Sequence, residues 1–325
     1  MASPILQTVP LGTQWPTLDP FLFCAHHLDH YPVADGELRP AAPLVGRQLG
    51  QDFAGIDGWN MYHGRSVPGF PQHPHRGFET VTYVRQGWCD HSDSLGATAR
   101  FGEGDVQWLT AGSGIVHSEM FPLFSTEEPN PLHLFQIWLN LPAANKMVDP
   151  YYSMLWSADL PRVQVGTDTE VTLITGALGT HEPPAPPPDS WAAQPNSDVA
   201  IWHIKLGVGG SWSLPAAPDG VNRVLYLFDG ASLHIGDGEI DANTGAVLDT
   251  ADETLLGASG GAECLILQGR PIGEPVAQQG PFVMNTRDEI RQAFADYQRT
   301  GFGGWPWDED GPVHGQEKRR FEHRV

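Results

Sequence analysis

His73 and His75 stand two residues apart, as do His117 and Glu119, and the stretch between the pairs is punctuated by Gly87, Gly96, Gly102, Gly104, Gly112 and Gly114. Alternate residues of a β-strand project from one face, so each pair can present two ligand-type side chains together. If a glycine-turned antiparallel sheet brings the pairs side by side, three imidazoles and a carboxylate converge on one point. Neutral nitrogens and a carboxylate oxygen, with no thiolate, suit Fe(II), Mn, Ni, Cu or Zn and argue against iron–sulfur clusters and Ca. Four protein ligands on an octahedral metal leave positions open for a substrate oxygen and dioxygen, or for water, whereas a structural zinc would be closed and four-coordinate. Glu79 keeps the same parity as His75 on a regular strand. It could replace Glu119 as a ligand, hydrogen-bond to the ligands, or pair with Arg76 or Arg65.

The elements that must position these residues read as short strands. Thr80 to Val84, Cys89 to Asp93, Ala97 to Phe101, Val106 to Leu109, Ile115 to Met120 and Leu134 to Leu141 are separated by glycine turns. That spacing predicts an all-β sandwich or barrel. Residues 1–60 read as irregular apart from a strand near Phe21 to Phe23, and His26, His27 and His30 read as a surface loop. Residues 142–165 read as a link between two units, which places a first domain over 1–150 and a second over 151–325. The proline run within His181 to Asp189 reads as an exposed polyproline loop.

The second domain repeats the strand pattern through Ile201 to Leu206, Val221 to Phe228, Ser232 to Ile235, Ala246 to Leu248 and Glu263 to Leu267. Setting Gly230 against Gly87 places Ala216 and Pro218 opposite His73 and His75. No histidine stands near Cys264, where the second pair should fall. The comparison predicts an internal duplication with one metal-competent half. A helix is predicted over 286–299. Thr286 and Glu289 form a capping box, Ile290, Ala293, Phe294 and Tyr297 form one apolar face, and Gly301 ends it.

The 325 residues carry 18 basic and 39 acidic side chains, a formal charge of −21. Such a field repels phosphate backbones and excludes direct nucleic-acid binding as an expected function. Cys24, Cys89 and Cys264 are scattered, odd in number and outside any CxxC pattern, so they read as reduced thiols. With no signal-peptide pattern at the N-terminus and no apolar run of about 18 residues, a cytoplasmic protein off the membrane is expected.

Several longer motifs carry a resemblance. They are Leu18-Asp19-Pro20-Phe21, His73 to Val84, Gly104-Asp105-Val106-Gln107-Trp108, Thr110-Ala111-Gly112 and Gly114 to Met120. Gln136 to Leu141, Lys146-Met147-Val148, Gly280 to Asn285 and the tail Phe302 to Trp307 extend it. Together they resemble the pirin family of the cupin superfamily along nearly the full chain, the tail resembling its bacterial branch. The resemblance implies two tandem cupin (jelly-roll β-barrel) domains, with iron in the N-terminal one on His73, His75, His117 and Glu119. It thereby implies Glu119 as the carboxylate ligand, with Glu79 and Arg76 as supporting groups around it. Fe(II) is the expected metal, with Mn, Ni, Cu or Zn as alternatives.

Bacterial members resemble quercetin 2,3-dioxygenases, which open a flavonol ring with O₂ and release carbon monoxide. Other members are described as iron-dependent co-regulators that bind a protein partner. On the enzymatic reading, Glu119 is the catalytic base on the flavonol hydroxyl, and Met61, Phe70, Phe78 and Trp138 are expected along the substrate pocket, unless they serve ordinary packing. On the other reading, iron oxidation changes the charge at the barrel mouth, and the acidic chain meets a partner with a basic surface.

Overall fold

The computed structural model describes residues 3–324. Short strands dominate it, with one α-helix, Arg287–Thr300. The chain forms two compact units, and a single cut at residue 150 does not separate them. One unit holds 26–136, 143–154 and 274–325, and the other holds 1–25, 137–142 and 155–273. The chain therefore begins in the unit without the histidine pairs, where Ile5–Pro10 pairs antiparallel with Thr244–Leu248. It ends in the unit that carries them. The region read as a link contributes the strands Tyr151–Leu155 and Arg162–Val165.

Two sheets carry the histidine pairs and the strands that face them. One contains Tyr151–Leu155, Asp105–Thr110, Phe78–Gln86, Asn130–Asn140 and Phe21–Tyr31 in that spatial order. The other runs Phe321–His323, Thr98–Gly102, Trp88–Asp93, Ile115–Met120, Gly69–His75. A hydrogen bond from Thr82 Oγ1 to Glu119 Oε1 (3.0 Å) joins their inner faces. The long strand Phe21–Tyr31 corrects the expected histidine loop. His26 Nε2 lies 2.8 Å from His133 Nε2, and His27 Nδ1 lies 2.8 Å from the Tyr62 hydroxyl. These partners are remote in sequence, so local polarity gave no sign of them.

The helix starts at the expected place. Thr286 accepts a hydrogen bond from the Glu289 amide while the Glu289 carboxylate accepts from the Thr286 amide, and Gly301 ends it in the left-handed conformation. Its buried Ile290 and Ala293 cluster with Val116, Phe282, Met284 and Phe302.

The other unit is a ten-stranded sheet folded around an aliphatic core. Leu173, Ile204, Leu225, Leu227, Leu233, Leu256 and Ile266 are completely buried in it. The proline run forms a loop, with Pro187 buried rather than exposed.

Candidate metal centre

The two histidine strands meet through a register shift. Phe70 pairs with Glu119 and His73 with His117, so Pro71 and Gln72 together oppose Ser118. This is a β-bulge. Without the extra residue, Gln72 would stand opposite His117, and His73 and His75 would point to the other face of the sheet. Gly69 opens the strand at φ 133°, where an added Cβ would lie 2.4 Å from the Glu119 carbonyl oxygen. Only glycine fits so close an approach.

The bulge gathers His73, His75 and His117, whose ligating atoms lie within 4.8 Å of one another. His73 Nδ1 donates to the Pro71 carbonyl at 2.9 Å. A carbonyl only accepts, so the proton sits on Nδ1 and the Nε2 lone pair faces the cluster. Burial lowers the His73 pKa to about 4 and drives those of His75 and His117 well below the usual value, with neighbouring imidazoles pushing the same way. The three rings are thus neutral at pH 7, the state in which imidazole binds metals. Both nitrogens of His117 are buried without a hydrogen-bond partner among the described residues. A buried polar atom left unpaired costs about 1–3 kcal/mol, and an ion is the natural acceptor of such a lone pair. The residues therefore fit a metal. Burial pushes the Cys89 thiol well up, so no thiolate competes.

Glu119 adjoins the cluster, its Oε2 3.9 Å from His117 Nε2. Thr82 donates to its Oε1 and the Gln136 side-chain amide to its Oε2. Burial raises the Glu119 pKa, while Gln136, His91 and Thr82 pull it back.

Glu79 stands elsewhere. It and Thr82 share the regular strand Phe78–Gln86, three residues apart, so they face opposite sides. Glu79 accepts from Thr110 Oγ1 at 2.7 Å. Parity counted from His75 fails because that strand ends at His75, Gly77 turns the chain at φ 83°, and the next strand begins at Phe78. Arg76 also turns from the cluster. It donates to the Ser113 carbonyl (2.7 Å) and to Asp296 on the helix (2.9 Å), and lies over the Phe302 ring.

Of the expected pocket residues, Phe78 packs on His75 (ring centroids 5.1 Å) and Phe70 approaches His73 (6.3 Å). Met61 is completely buried, its amide donating to Asp52. Trp138 packs on Phe23 at 4.3 Å within the other unit.

Sequence reasoning missed His91 and Asp93. They pair with Glu119 and His117 across the sheet, on the ligand face, and His91 Nε2 lies 3.1 Å from Asp93 Oδ2. The alternation of Cys89, His91 and Asp93 was the available signal. Also missed was a cleft of about 490 Å³ that reaches His73, bounded by His63, Arg65, Gln72, Met120 and Asp310.

Residues 7–139 match the family model described as Pirin, and residues 201–303 match the one for the Pirin C-terminal cupin domain. A Pseudomonas aeruginosa protein named "Putative quercetin 2,3-dioxygenase" is 39% identical over 240 residues, 71% of this chain and 79% of its own length. Human pirin is 35% identical over 252 residues, 75% of this chain and 81% of its own. The crystal structure of quercetin 2,3-dioxygenase from Acinetobacter baumannii superposes with a TM-score of 0.74 at 26% identity, covering 93% of this chain and 99% of that one.

Proposed function

Because this chain belongs to the pirin family, we propose that it is a mononuclear metal dioxygenase that cleaves a flavonol or a related aromatic enol. The observation that carries the reading is the buried cluster of three neutral histidines with a hydrogen-bonded carboxylate beside it, one of the histidines, His73, lining a cleft. His73, His75 and His117 would hold the metal with Glu119 as the fourth ligand, and Fe(II) is the proposed ion. When bound, such an ion supplies Lewis acidity and open positions for substrate and dioxygen.

The protein's own groups do the rest. The cleft past His63, Arg65 and Met120 admits the substrate to His73. Phe70 and Phe78 give the histidines apolar neighbours. Glu119 takes the proton of the flavonol 3-hydroxyl on Oε2. Burial raises its pKa, which makes it a stronger base than a solvated carboxylate. Thr82 and Gln136 fix the carboxylate by donating to its two oxygens. Loss of that proton leaves the 3-oxygen anionic and makes the ring electron-rich toward dioxygen. Quercetin and O₂ would leave as carbon monoxide and the ring-opened ester.

The test is oxygen uptake with carbon monoxide release by protein loaded in turn with Fe, Mn, Ni and Cu. Stoichiometric carbon monoxide from wild type and none from His73→Ala is the expected result. Absence of turnover with every metal, or equal turnover by the variant, overturns the reading.

A further inference from the structure

The bulge that aims His73 at the cluster is held from outside its own sheet. The extra residue leaves the Gln72 amide without a place in the ladder to Ile115–Met120. The C-terminal tail supplies its acceptor. Gln72 N–H donates to the Asp310 carbonyl at 2.6 Å, and the Gln72 side-chain amide donates to Asp310 Oδ1 at 2.7 Å. One residue on each side of Gln72 completes the link, because Pro71 offers the carbonyl that fixes the His73 tautomer.

The tail is seated for this. Trp307 Nε1 donates to the Asp93 carbonyl (3.0 Å), and the His314 amide donates to Asp90 Oδ2 (2.8 Å). Both anchors lie on the strand Trp88–Asp93, so the short span between them is fixed at each end. Within that span Gly311 lies flat on Met120: an added Cβ would stand 2.7 Å from its Sδ. Beyond it, Phe321–His323 pairs with Thr98–Gly102.

We propose that Asp310 is a positioning residue for the metal. It clamps the Pro71–Gln72 bulge and, through the Pro71 carbonyl, holds the His73 imidazole with Nε2 toward the ion. The inference rests on the metal-binding reading of the histidine cluster and is independent of which substrate is cleaved.

Co(II) is the probe, because its absorption bands report ligand geometry. Asp310→Ala and Gln72→Ala are each expected to weaken Co(II) binding about 10-fold, at the lower end of the 10–100-fold range for partners that orient a ligand. Their absorption bands should shift, while apo melting stays close to wild type. Asp310→Asn keeps the Oδ1 acceptor and should restore both affinity and spectrum. If Asp310→Ala destabilises the fold, Gln72→Ala, an exposed side chain, carries the test alone. Wild-type affinity and bands in these alanine variants overturn the inference while leaving the metal site intact. A wild-type protein that binds no Co(II) overturns the metal reading and this inference with it.

Discussion

Leu225, Leu227, Ile204 and Ile266 line the interior of one unit, and in the other unit the inner face carries Thr82, His91, Asp93, His117 and Glu119. Both interiors belong to short antiparallel strands closed by glycine turns. An aliphatic side chain gains about 1.5–3 kcal/mol when buried. A buried imidazole without a partner gives up stability instead. His117 is such a group, completely buried with neither nitrogen hydrogen-bonded among the described residues. One unit thus fills its core with aliphatic side chains, and the other sets a cluster of buried polar groups, costly without an ion, beside its apolar core. The positions counted against His73 and His75, Ala216 and Pro218, cannot ligate a metal.

The sharpest way to break this contrast is to give the polar interior an aliphatic residue. His117→Leu should lower metal affinity by more than about 100-fold, beyond what loss of a supporting partner costs. The apo protein should gain about 1–3 kcal/mol, the penalty of the unpaired nitrogens. Equilibrium metal titration and denaturant unfolding of the apo protein measure the two effects. A variant that is both less stable and still metal-competent would contradict the contrast. The converse change in the aliphatic unit is Leu225→Ala. It should cost about 2–5 kcal/mol as a core cavity and leave metal affinity at the wild-type value. A parallel fall in affinity would show that the two interiors are not separable in this way.

The contrast also explains what the sequence disclosed. The paired His73/His75 and His117/Glu119 were legible because strand alternation is local, and the capping box of Thr286 and Glu289 was legible for the same reason. Features set by pairing between distant strands were not. The bulge at Pro71–Gln72 has no composition of its own; it exists only relative to Ser118. His91 and Asp93 read as ordinary strand polar residues until the register sets them beside Glu119 and His117. The tail's part in the cleft depends on contacts between residues such as Gln72 and Asp310, far apart in the chain. His26 and His27 read as a loop because their partners His133 and Tyr62 are equally remote.

A smaller effect should come from the helix. Arg76, Arg299 and Gln292 hold the Asp296 carboxyl down at about 2, below an unfolded value of about 3.9. A depressed carboxylate contributes stability that is fully present above about pH 4 and is lost as pH falls through about 2. Asp296→Asn should therefore flatten the acid limb of the stability profile in that window. Unfolding titrations at pH 5, 3 and 2 on wild type and variant would follow it on a roughly one-unit scale. An unchanged slope between about pH 4 and 2 would mean that the Arg76–Asp296 pair adds nothing to the fold.

The smallest expected effect concerns the two carboxylates that parity alone left undivided. Glu79 shares its strand with Thr82 but faces the other way, toward Thr110. Glu79→Gln should change metal affinity by less than about 2-fold, well under the loss expected for a group that orients a ligand. Its charge-assisted hydrogen bond becomes neutral, so stability should fall by about 1 kcal/mol. Glu119→Gln reverses the pattern, because Glu119 stands 3.9 Å from His117 Nε2 and lies on the ligand face. Its affinity should drop, and only one oxygen remains to accept where Glu119 takes hydrogen bonds from both Thr82 and Gln136. Paired metal titrations of the two glutamine variants separate the carboxylates directly. A larger affinity loss in Glu79→Gln than in Glu119→Gln would mean that Glu79 acts on the site through its strand, and the division of the two faces by Gly77 would fail.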